Sequence, residues 1–285
     1  MTQRTVVITG ANSGIGLETA VALAAIGDRV VICCRNPERA ATALDDIRTR
    51  SGNDTVESVT LDLADFDSIR SCSAELAERA PTIDVLINNA GLILSERETT
   101  AQGFEATFGV NHLGPFLFTD LLEPQIKASE LPRVINVSSL AHVWALGGLR
   151  FSRLNGGKRY HGWLAYGRSK LCNIYFTQEL ARRWADDGVA VNAVHPGPVN
   201  THFGQDGDMK GLSGLLMKAA PLVTISPDRG AATSVFLATS DDGGEQTGLY
   251  WSKSKPGRTA PWAKRPEAAR RLWDVSEQYI AAGHP

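Results

Sequence analysis

The chain has 285 residues, of which 43% are hydrophobic and 21% charged, with a formal net charge of −2. This composition is typical of a globular protein with a buried core, and the charge balance does not favour nucleic acid as a partner. We expect no membrane span, because no apolar run approaches the ~20 residues that crossing a bilayer requires. The four cysteines form no Cys-x-x-Cys pair, and we expect no signal peptide before Thr5, so a cytoplasmic location is predicted.

Short apolar runs alternate with helical patterns along the chain. The predicted strands cover residues 6–9, 29–34, 55–61, 83–88, 133–138, 189–195 and 249–251. The predicted helices cover 15–26, 38–50, 65–79 and 102–128, with a further helix around Tyr166. Such alternation indicates βαβ units. We therefore predict one α/β domain over residues 1–285, with a doubly wound, seven-stranded, mostly parallel Rossmann-type sheet.

Two stretches interrupt the alternation, at about 141–162 and 196–221, and an extension of about 252–285 ends the chain. Both stretches follow strand C-termini, where open α/β sheets bind ligands. Long irregular loops at that edge often form pocket walls. We interpret them as substrate loops, with surface excursions of no function as the alternative.

A glycine-rich turn joins the first strand to the first helix, in the sequence Thr9-Gly10-Ala11-Asn12-Ser13-Gly14-Ile15-Gly16. Glycines allow the backbone to turn sharply and to approach a pyrophosphate closely. The N-terminus of the following helix offers N–H groups and a positive dipole end to phosphates. We predict dinucleotide binding by Gly10, Asn12, Ser13, Gly14, Ile15 and Gly16, with a turn that binds no ligand as the alternative.

The ends of the second and third predicted strands bear on which dinucleotide binds. An acidic residue at the second strand end would favour NAD, but Arg35 stands there and is suited to a 2′-phosphate. NADP(H) is therefore favoured over NAD(H), unless Arg35 is only a surface charge. Asp62, next to Leu63, is predicted to accept from the adenine amino group or to cap the helix that starts near Asp65.

Tyr166 and Lys170 are four residues apart in a predicted helix, so their side chains lie on one face. A nearby positive charge lowers the pKa of a phenol. A phenol tuned in this way can transfer a proton to or from an alcohol or carbonyl oxygen. The pair is predicted to be catalytic, and the alternative is ordinary surface packing.

Taken together, these patterns resemble the short-chain dehydrogenase/reductase family, and its retinol-dehydrogenase-like branch in particular. The similarity runs from Thr5 to about Trp251. The family motifs are Thr9–Gly16, Asn88-Asn89-Ala90-Gly91, Asn111, Val137-Ser138-Ser139, Tyr166-x-x-x-Lys170 and Pro196-Gly197. The segments that resemble the branch are 61–64, 136–142, 176–183 and 194–197. The branch also carries extra residues between its serine and tyrosine, as this chain does between Ser139 and Tyr166.

The resemblance implies a role for each catalytic position. Tyr166 would be the acid/base, and Lys170 would hold the nicotinamide ribose and lower the tyrosine pKa. Ser139 would bind the substrate oxygen, with Ser138 as the alternative because adjacent strand residues face opposite sides. Asn111 would fix a water linked to Lys170, or else would be a buried amide that satisfies helix backbone.

The resemblance also implies further contacts with the cofactor at two strand ends. Residues at the end of the fourth strand would line the cofactor, and residues after the sixth strand would position the nicotinamide carboxamide. They are Asn88, Asn89, Ala90, Gly91, Pro196, Gly197, Val199 and Thr201.

The sequence thus predicts an NAD(P)(H)-dependent oxidoreductase that interconverts an alcohol with a ketone or aldehyde, with NADP(H) favoured. A non-catalytic dinucleotide-binding regulator and a nucleotide-sugar epimerase or dehydratase are the alternatives. No metal site is expected, because the histidines lack metal-ligand spacing. The partner is a small-molecule alcohol or carbonyl compound. A homodimer or homotetramer is possible through the helices near 102–128 and 163–186, which pair across a dimer in the resembling family.

Overall fold

The computed structural model describes residues 3–156, 160–197 and 225–285. Within these residues one sheet has the strand order β3-β2-β1-β4-β5-β6-β7-β8, in which β8 alone is antiparallel to its neighbour. The strands are β1 (Thr5–Thr9), β2 (Arg29–Cys34), β3 (Val56–Thr60), β4 (Val85–Asn88), β5 (Arg133–Val137), β6 (Ala190–His195), β7 (Tyr250–Ser252) and β8 (Lys255–Pro256). The doubly wound, mostly parallel α/β fold is confirmed.

The helices connect the parallel strands and cover the sheet. Before β5 they are α1 (Gly14–Ala25), α2 (Pro37–Ser51), α3 (Phe66–Arg79), α4 (Ala106–Phe108), α5 (Gly114–Leu121) and α6 (Glu123–Lys127). After β5 they are α7 (Gly162–Arg183), α8 (Pro227–Thr239), α9 (Asp241–Glu245) and α10 (Pro266–Ala282). In the described part of the chain, no helix is both long enough and apolar enough to cross a membrane.

The sheet separates two apolar cores, because side chains alternate between its faces. On β1, Val7 contributes to the core beneath α3, α5, α7 and α10, whereas Val6 and Ile8 contribute to the core beneath α1, α2 and α8. Because both faces of the sheet are buried, the strands are continuous apolar runs in the sequence.

The strand order reverses at β1, which pairs with β2 on one side and with β4 on the other. The connections that leave β1 and β4 therefore diverge at the C-terminal edge of the sheet, and a crevice opens between them. The motifs identified in the sequence have one of two positions. Each lies either directly after a strand that ends at this edge, or on α7 or an element packed beside α7.

The prediction of seven strands was wrong by one short strand. A two-residue hairpin at Lys253 and Ser254 returns the chain from β7 to β8, and both residues have positive φ, 53° and 55°. Such a turn usually carries Asn-Gly or Gly-Gly. Lys-Ser gives no sequence signal for the hairpin, so β8 was not predicted.

The helical region predicted at 102–128 starts later and is not continuous. Glu105 caps α4 by accepting from the backbone N–H groups of Thr107 and Phe108. A π-helical turn over Gly109–Leu113 then separates α4 from α5. Turns of this kind are frequent at functional sites, and this one carries Asn111.

The first predicted substrate loop is largely irregular, with short 3₁₀ turns at Leu140–Trp144 and Phe151–Arg153. Its last residue, Gly162, is already the first residue of α7. A Cβ at this position would lie 2.0 Å from the Leu94 carbonyl oxygen, so the close approach of the two segments requires a glycine. The second predicted loop, 196–221, lies outside the described residues from position 198 onwards.

Candidate active site

The glycine-rich turn after β1 forms a narrow cradle at the start of α1. Gly10 has a φ of +67°, and a Cβ there would lie 2.9 Å from Ala90 Cα. A Cβ on Gly16 would lie 2.6 Å from the Gly10 carbonyl oxygen. The Ser13 side chain makes no capping hydrogen bond at the start of α1. The first N–H groups of the helix therefore point into the crevice without a bond from the Ser13 hydroxyl. The cradle has the geometry and polarity that a pyrophosphate needs.

The β4 segment holds this cradle in place. Thr9 Oγ1 accepts from the backbone N–H groups of Asn89 and Ala90, both at 3.0 Å. The Asn89 side chain donates to Thr9 O at 2.9 Å and to Gly10 O at 3.3 Å. The side-chain amide of Asn89 therefore holds the glycine-rich turn in position. Asn88 points elsewhere, and its Nδ2 donates to Asn136 Oδ1 on β5 at 2.9 Å.

The residues predicted to contact the adenosine half lie at the ends of β2 and β3. Arg35 is exposed directly after β2, and within the described residues its guanidinium makes no ion pair. Asp62 accepts from the Ala64 N–H at 2.9 Å, whereas Asp65 is the residue that caps α3. The alternative in which Asp62 caps that helix was therefore wrong. Leu63 is buried in the core, at 5% exposure.

Tyr166 and Lys170 share one face of α7, as predicted, and the Lys170 nitrogen lies 5.5 Å from the centroid of the Tyr166 ring. Lys170 is 3% exposed and donates to Val137 O at 2.8 Å. Burial lowers the pKa of Lys170 to about 7. Burial also raises the pKa of Tyr166 to about 12, against a smaller opposite effect from its hydrogen bond with Ser139. The prediction that the ammonium lowers the tyrosine pKa was therefore wrong for this structure, because desolvation raises that pKa instead.

The structure distinguishes the two serines that follow β5. Ser138 is buried and donates its hydroxyl proton to Lys170 O at 2.8 Å, so it ties the strand to α7. Ser139 extends toward the crevice, where it hydrogen-bonds the Tyr166 side chain and accepts from Ala141 N at 3.1 Å. Of the two, Ser139 is the residue beside the tyrosine hydroxyl.

Asn111 connects the π-helical turn to its surroundings and is fully buried. Its Nδ2 donates to Leu92 O and to Ser169 Oγ, both at 2.9 Å, and its Oδ1 accepts from Leu92 N at 2.7 Å. A Cβ on Gly91 would lie 3.2 Å from Asn111 Oδ1 and 3.3 Å from Lys170 Nζ. These three residues therefore converge at the end of β4, and a Cβ at position 91 would be in tight contact with both side chains.

Pro196 and Gly197 follow β6 at the same edge of the sheet, and Gly197 has a φ of +94°. The two remaining residues predicted to position the nicotinamide, Val199 and Thr201, lie outside the described residues.

The sequence analysis missed two histidines that hold the Ser139 segment. Ala260 N donates to His142 Nε2 at 3.1 Å, so His142 must carry its proton on Nδ1, which then donates to Ser139 O at 2.7 Å. Burial lowers the pKa of His142, although its hydrogen bond to Ser139 acts in the opposite direction. The neutral ring therefore fastens Ser139 to the C-terminal extension.

The second histidine, His195, is the last residue of β6. Its Nδ1 accepts from Leu140 N and from Gly197 N, both at 3.3 Å, and so joins the Ser139 segment to the Pro196-Gly197 turn. Burial, with a smaller effect of His142, lowers the pKa of His195 to about 4. Metal-ligand spacing gave no sign of these roles. The available signal was position, since His142 lies five residues after the end of β5 and His195 is the last residue of β6, both at the crevice.

The chain is similar to known proteins over most of its length. Residues 4–210 match the family model of the short chain dehydrogenases. Retinol dehydrogenase 13 of Homo sapiens is 41% identical over 286 residues, which cover 99% of this chain and 86% of that protein.

Solved structures are similar as well. An uncharacterised protein from Mycobacterium paratuberculosis has a TM-score of 0.77 and 35% identity, covering 98% of this chain and 94% of that one. An actinorhodin polyketide ketoreductase with NADPH has a TM-score of 0.67 and 25% identity, covering 87% and 94%. The chain therefore belongs to the short-chain dehydrogenase/reductase family, in its retinol-dehydrogenase-like branch, and is an oxidoreductase that acts on CH–OH groups.

Proposed function

We propose that the protein uses NADP(H) to interconvert an alcohol with a ketone or aldehyde, with Tyr166 as its acid/base. The observation that carries this proposal is the hydrogen bond between Ser139 and Tyr166 beside a buried lysine on the same helix face. This group lies at the C-terminal edge of β5, next to the point where the strand order reverses.

The residues of the crevice fit a nicotinamide dinucleotide. Gly10 and Gly16 leave a cradle that any Cβ would fill, and the uncapped start of α1 suits the two phosphates. Gly91 carries no side chain that would crowd the Lys170 nitrogen, which would bind the ribose hydroxyls. When bound, the cofactor supplies the hydride that is exchanged with the substrate carbon.

The chain itself handles the proton. In the reducing direction, Ser139 donates a hydrogen bond to the carbonyl oxygen, and Tyr166 transfers its phenolic proton to the same oxygen. Protonated Lys170 stabilises the resulting phenolate, because an opposite charge nearby favours the ionised form. Asn111 keeps the π-helical turn against Leu92 and would hold a water that relays a proton toward Lys170.

The preference for NADP(H) rests on Arg35. Its exposed guanidinium follows β2, at the position from which a residue reaches the adenosine ribose, and it can bind a 2′-phosphate in bidentate fashion. The NADPH bound by the similar ketoreductase agrees with this proposal.

The substrate would enter between the two irregular segments, 141–162 and 196–221. Trp144 and Trp163 meet edge to face, with ring centroids 5.1 Å apart, and are 43% and 37% exposed. These rings lie close to Ser139 and Tyr166 in the chain and offer an apolar wall for the carbon skeleton of the substrate.

Two further expectations remain proposals. A homodimer or homotetramer through α5 and α7 would have to include α10, because Trp273 packs on Phe116 with ring centroids 4.7 Å apart and also contacts Phe176. A cytoplasmic location is supported by the four buried cysteines, Cys33, Cys34, Cys72 and Cys172, which are all free thiols.

An assay of cofactor oxidation tests the proposal directly. The purified protein is incubated with NADPH or NADH and a panel of aliphatic and aromatic aldehydes and ketones, and absorbance of the reduced cofactor is followed. We expect turnover with at least one carbonyl compound and faster turnover with NADPH. Binding of NADPH without turnover of any compound would instead favour the non-catalytic regulator.

A further inference from the structure

A second cavity lies behind the catalytic helix. Its volume is about 600 Å³, within the range of small-molecule sites. Ala165 and Arg168 line it from α7. Because a helix turns by about 100° per residue, these side chains point away from the face that carries Tyr166 and Lys170. The cavity is therefore separate from the crevice at the sheet edge.

Two arginines bring positive charge to this cavity. Arg153 lines it from the 3₁₀ turn, and half-buried Arg168 lines it from α7. Burial, together with the charges of Arg150 and Arg153, lowers the pKa of Arg168. Among the described residues, none of these three guanidinium groups forms an ion pair. Glu105 acts in the opposite direction on Arg168, but three guanidinium groups beside one carboxylate leave an excess of positive charge, which favours an anion between them.

The lining includes one carboxylate, Glu105, but it is already engaged. Its oxygens accept from Thr107 N at 2.8 Å, from Phe108 N at 2.9 Å and from the Tyr160 hydroxyl at 3.1 Å. A carboxylate that caps a helix in this way cannot turn to pair with Arg168 without losing these bonds. Glu105 therefore offsets part of the positive charge without an ion pair, and the N–H donors of Arg153 and Arg168 are left for a ligand.

Part of the wall is apolar, formed by Phe108, Leu154 and Leu164, whereas Ser152, Tyr160, His161 and Ser169 add polar groups. A ligand that fills the cavity would therefore place an anionic head at the arginines and an apolar body against these side chains. Residues 157–159, which connect Gly156 to Tyr160, lie outside the described part of the chain and are not included in the site.

We propose that this cavity is a second binding site for a small organic anion with an apolar body, either a carboxylate or a phosphate monoester, held by Arg153 and Arg168. The planar guanidinium group binds both kinds of oxyanion in bidentate fashion. The site is independent of the cofactor crevice, so it does not rest on the identity of the reacting substrate.

Calorimetric titration of the full chain, saturated with NADP⁺, tests the proposal with octanoate, octyl phosphate and octanol as probes. We expect at least one of the two anions to bind, and octanol to bind at least about tenfold more weakly, which corresponds to about 1.4 kcal/mol. The better-bound anion distinguishes a carboxylate ligand from a phosphate ligand. Equal binding of octanol and both anions, or no binding of either anion, would overturn the proposal.

Variants locate the site. Arg168→Gln and Arg153→Gln should each weaken anion binding about tenfold or more, whereas Arg70→Gln, at an exposed residue on α3, should not. Arg153 is exposed, so its variant keeps the test decisive if Arg168→Gln fails to fold. A crystal with 8-bromooctanoate should show the carboxylate at Arg153 and Arg168 and the bromine beside the apolar side chains of Phe108, Leu154 or Leu164. Bromine found only beside Ser139 would refute the second site.

Discussion

The ammonium nitrogen of Lys170 lies 5.5 Å from the centroid of the Tyr166 ring, and burial moves both groups toward their neutral forms. The pKa of Lys170 falls to about 7, while that of Tyr166 rises to about 12. Each group alone is thus costly to ionise in this position, because desolvation penalises an isolated charge. If both groups were ionised, the phenolate and the ammonium would stabilise one another. Proton transfer from Tyr166 to the substrate would produce this doubly ionised state.

Tyr166→Phe removes the hydroxyl while the ring stays in place. We expect kcat to fall by about 10²-fold or more, because general acid/base catalysis of this kind contributes roughly 10²–10⁴-fold. The Kd for NADPH should change little, since the cradle at Gly10 and Gly16 is untouched. Steady-state kinetics and a fluorescence titration with NADPH measure the two effects. Tyr279→Phe on α10 is the matched control, and turnover of Tyr166→Phe equal to that control would disprove the assignment.

The two serines after β5 should respond differently to replacement by alanine. Ser139→Ala should lower kcat by about 10²-fold, because it removes a donor aimed at the reacting oxygen. Ser138→Ala should instead lower the free energy of unfolding by about 1 kcal/mol, because it removes a buried hydrogen bond to Lys170 O. Kinetics and urea unfolding of both variants are the measurements. A larger loss of kcat in Ser138→Ala would reverse the assignment.

Lys170→Met should separate stability from activity. In the folded protein the lysine loses its proton near pH 7, whereas in the unfolded chain it keeps it to about pH 10.4. The unfolded state therefore binds more protons between these values, and at pH 7 and below the buried charge is a cost. Removing it should raise the free energy of unfolding by on the order of 2 kcal/mol, after allowing for the lost bond to Val137 O.

The same variant should be nearly inactive, because Met cannot bind a ribose hydroxyl or stabilise a phenolate. Urea unfolding at pH 6.5 compares it with Lys264→Met, a control at an exposed residue expected to stay within about 0.5 kcal/mol of the parent. If the Lys170→Met protein has a lower free energy of unfolding than the parent, burial of the lysine charge is not the dominant effect of Lys170 on stability.

His195 should make the fold sensitive to acid. Its folded pKa of about 4 is below the unfolded value of ~6.5, so the unfolded chain binds the extra proton between these values. Stability is therefore complete above about pH 6.5 and is lost as pH falls toward 4, by up to about 3 kcal/mol. His195→Asn retains an acceptor near Nδ1 but does not titrate, so its unfolding free energy should fall less steeply over this range.

Urea unfolding at several pH values, with His161→Asn as the matched control, checks the prediction. Burial also lowers the pKa of His112, to about 3, and that contribution remains in both variants. Parallel curves for His195→Asn and the parent would show that protonation of His195 does not break the contacts with Leu140 and Gly197.

Arg35→Asp should change the choice of cofactor. Loss of a charge-assisted bond to a 2′-phosphate, with a carboxylate in its place, should raise the KM for NADPH by about 10–100-fold. The KM for NADH should fall or stay constant, because a carboxylate can accept from a free 2′-hydroxyl. Arg70→Gln serves as the control. An unchanged ratio of the two KM values would exclude Arg35 from cofactor selection.

The sequence by itself determined the order of the elements and the positions of the motifs at strand ends. These features are local, since apolar periodicity, the glycines from Gly10 to Gly16 and the four-residue spacing of Tyr166 and Lys170 depend on near neighbours in the chain. They predicted the parallel sheet and its crevice correctly. The β8 hairpin escaped notice because Lys253 and Ser254 are not residues that usually mark such a turn.

Only the tertiary structure decided what depends on contacts between distant segments. It placed Ser139 rather than Ser138 beside Tyr166, connected Ser139 to Ala260 through His142, and enclosed a basic cavity behind Arg168. It also decided the direction of the pKa shifts of Tyr166 and Lys170. Spacing along a helix shows that two groups are neighbours, but the cost of removing them from water depends on every element packed around them.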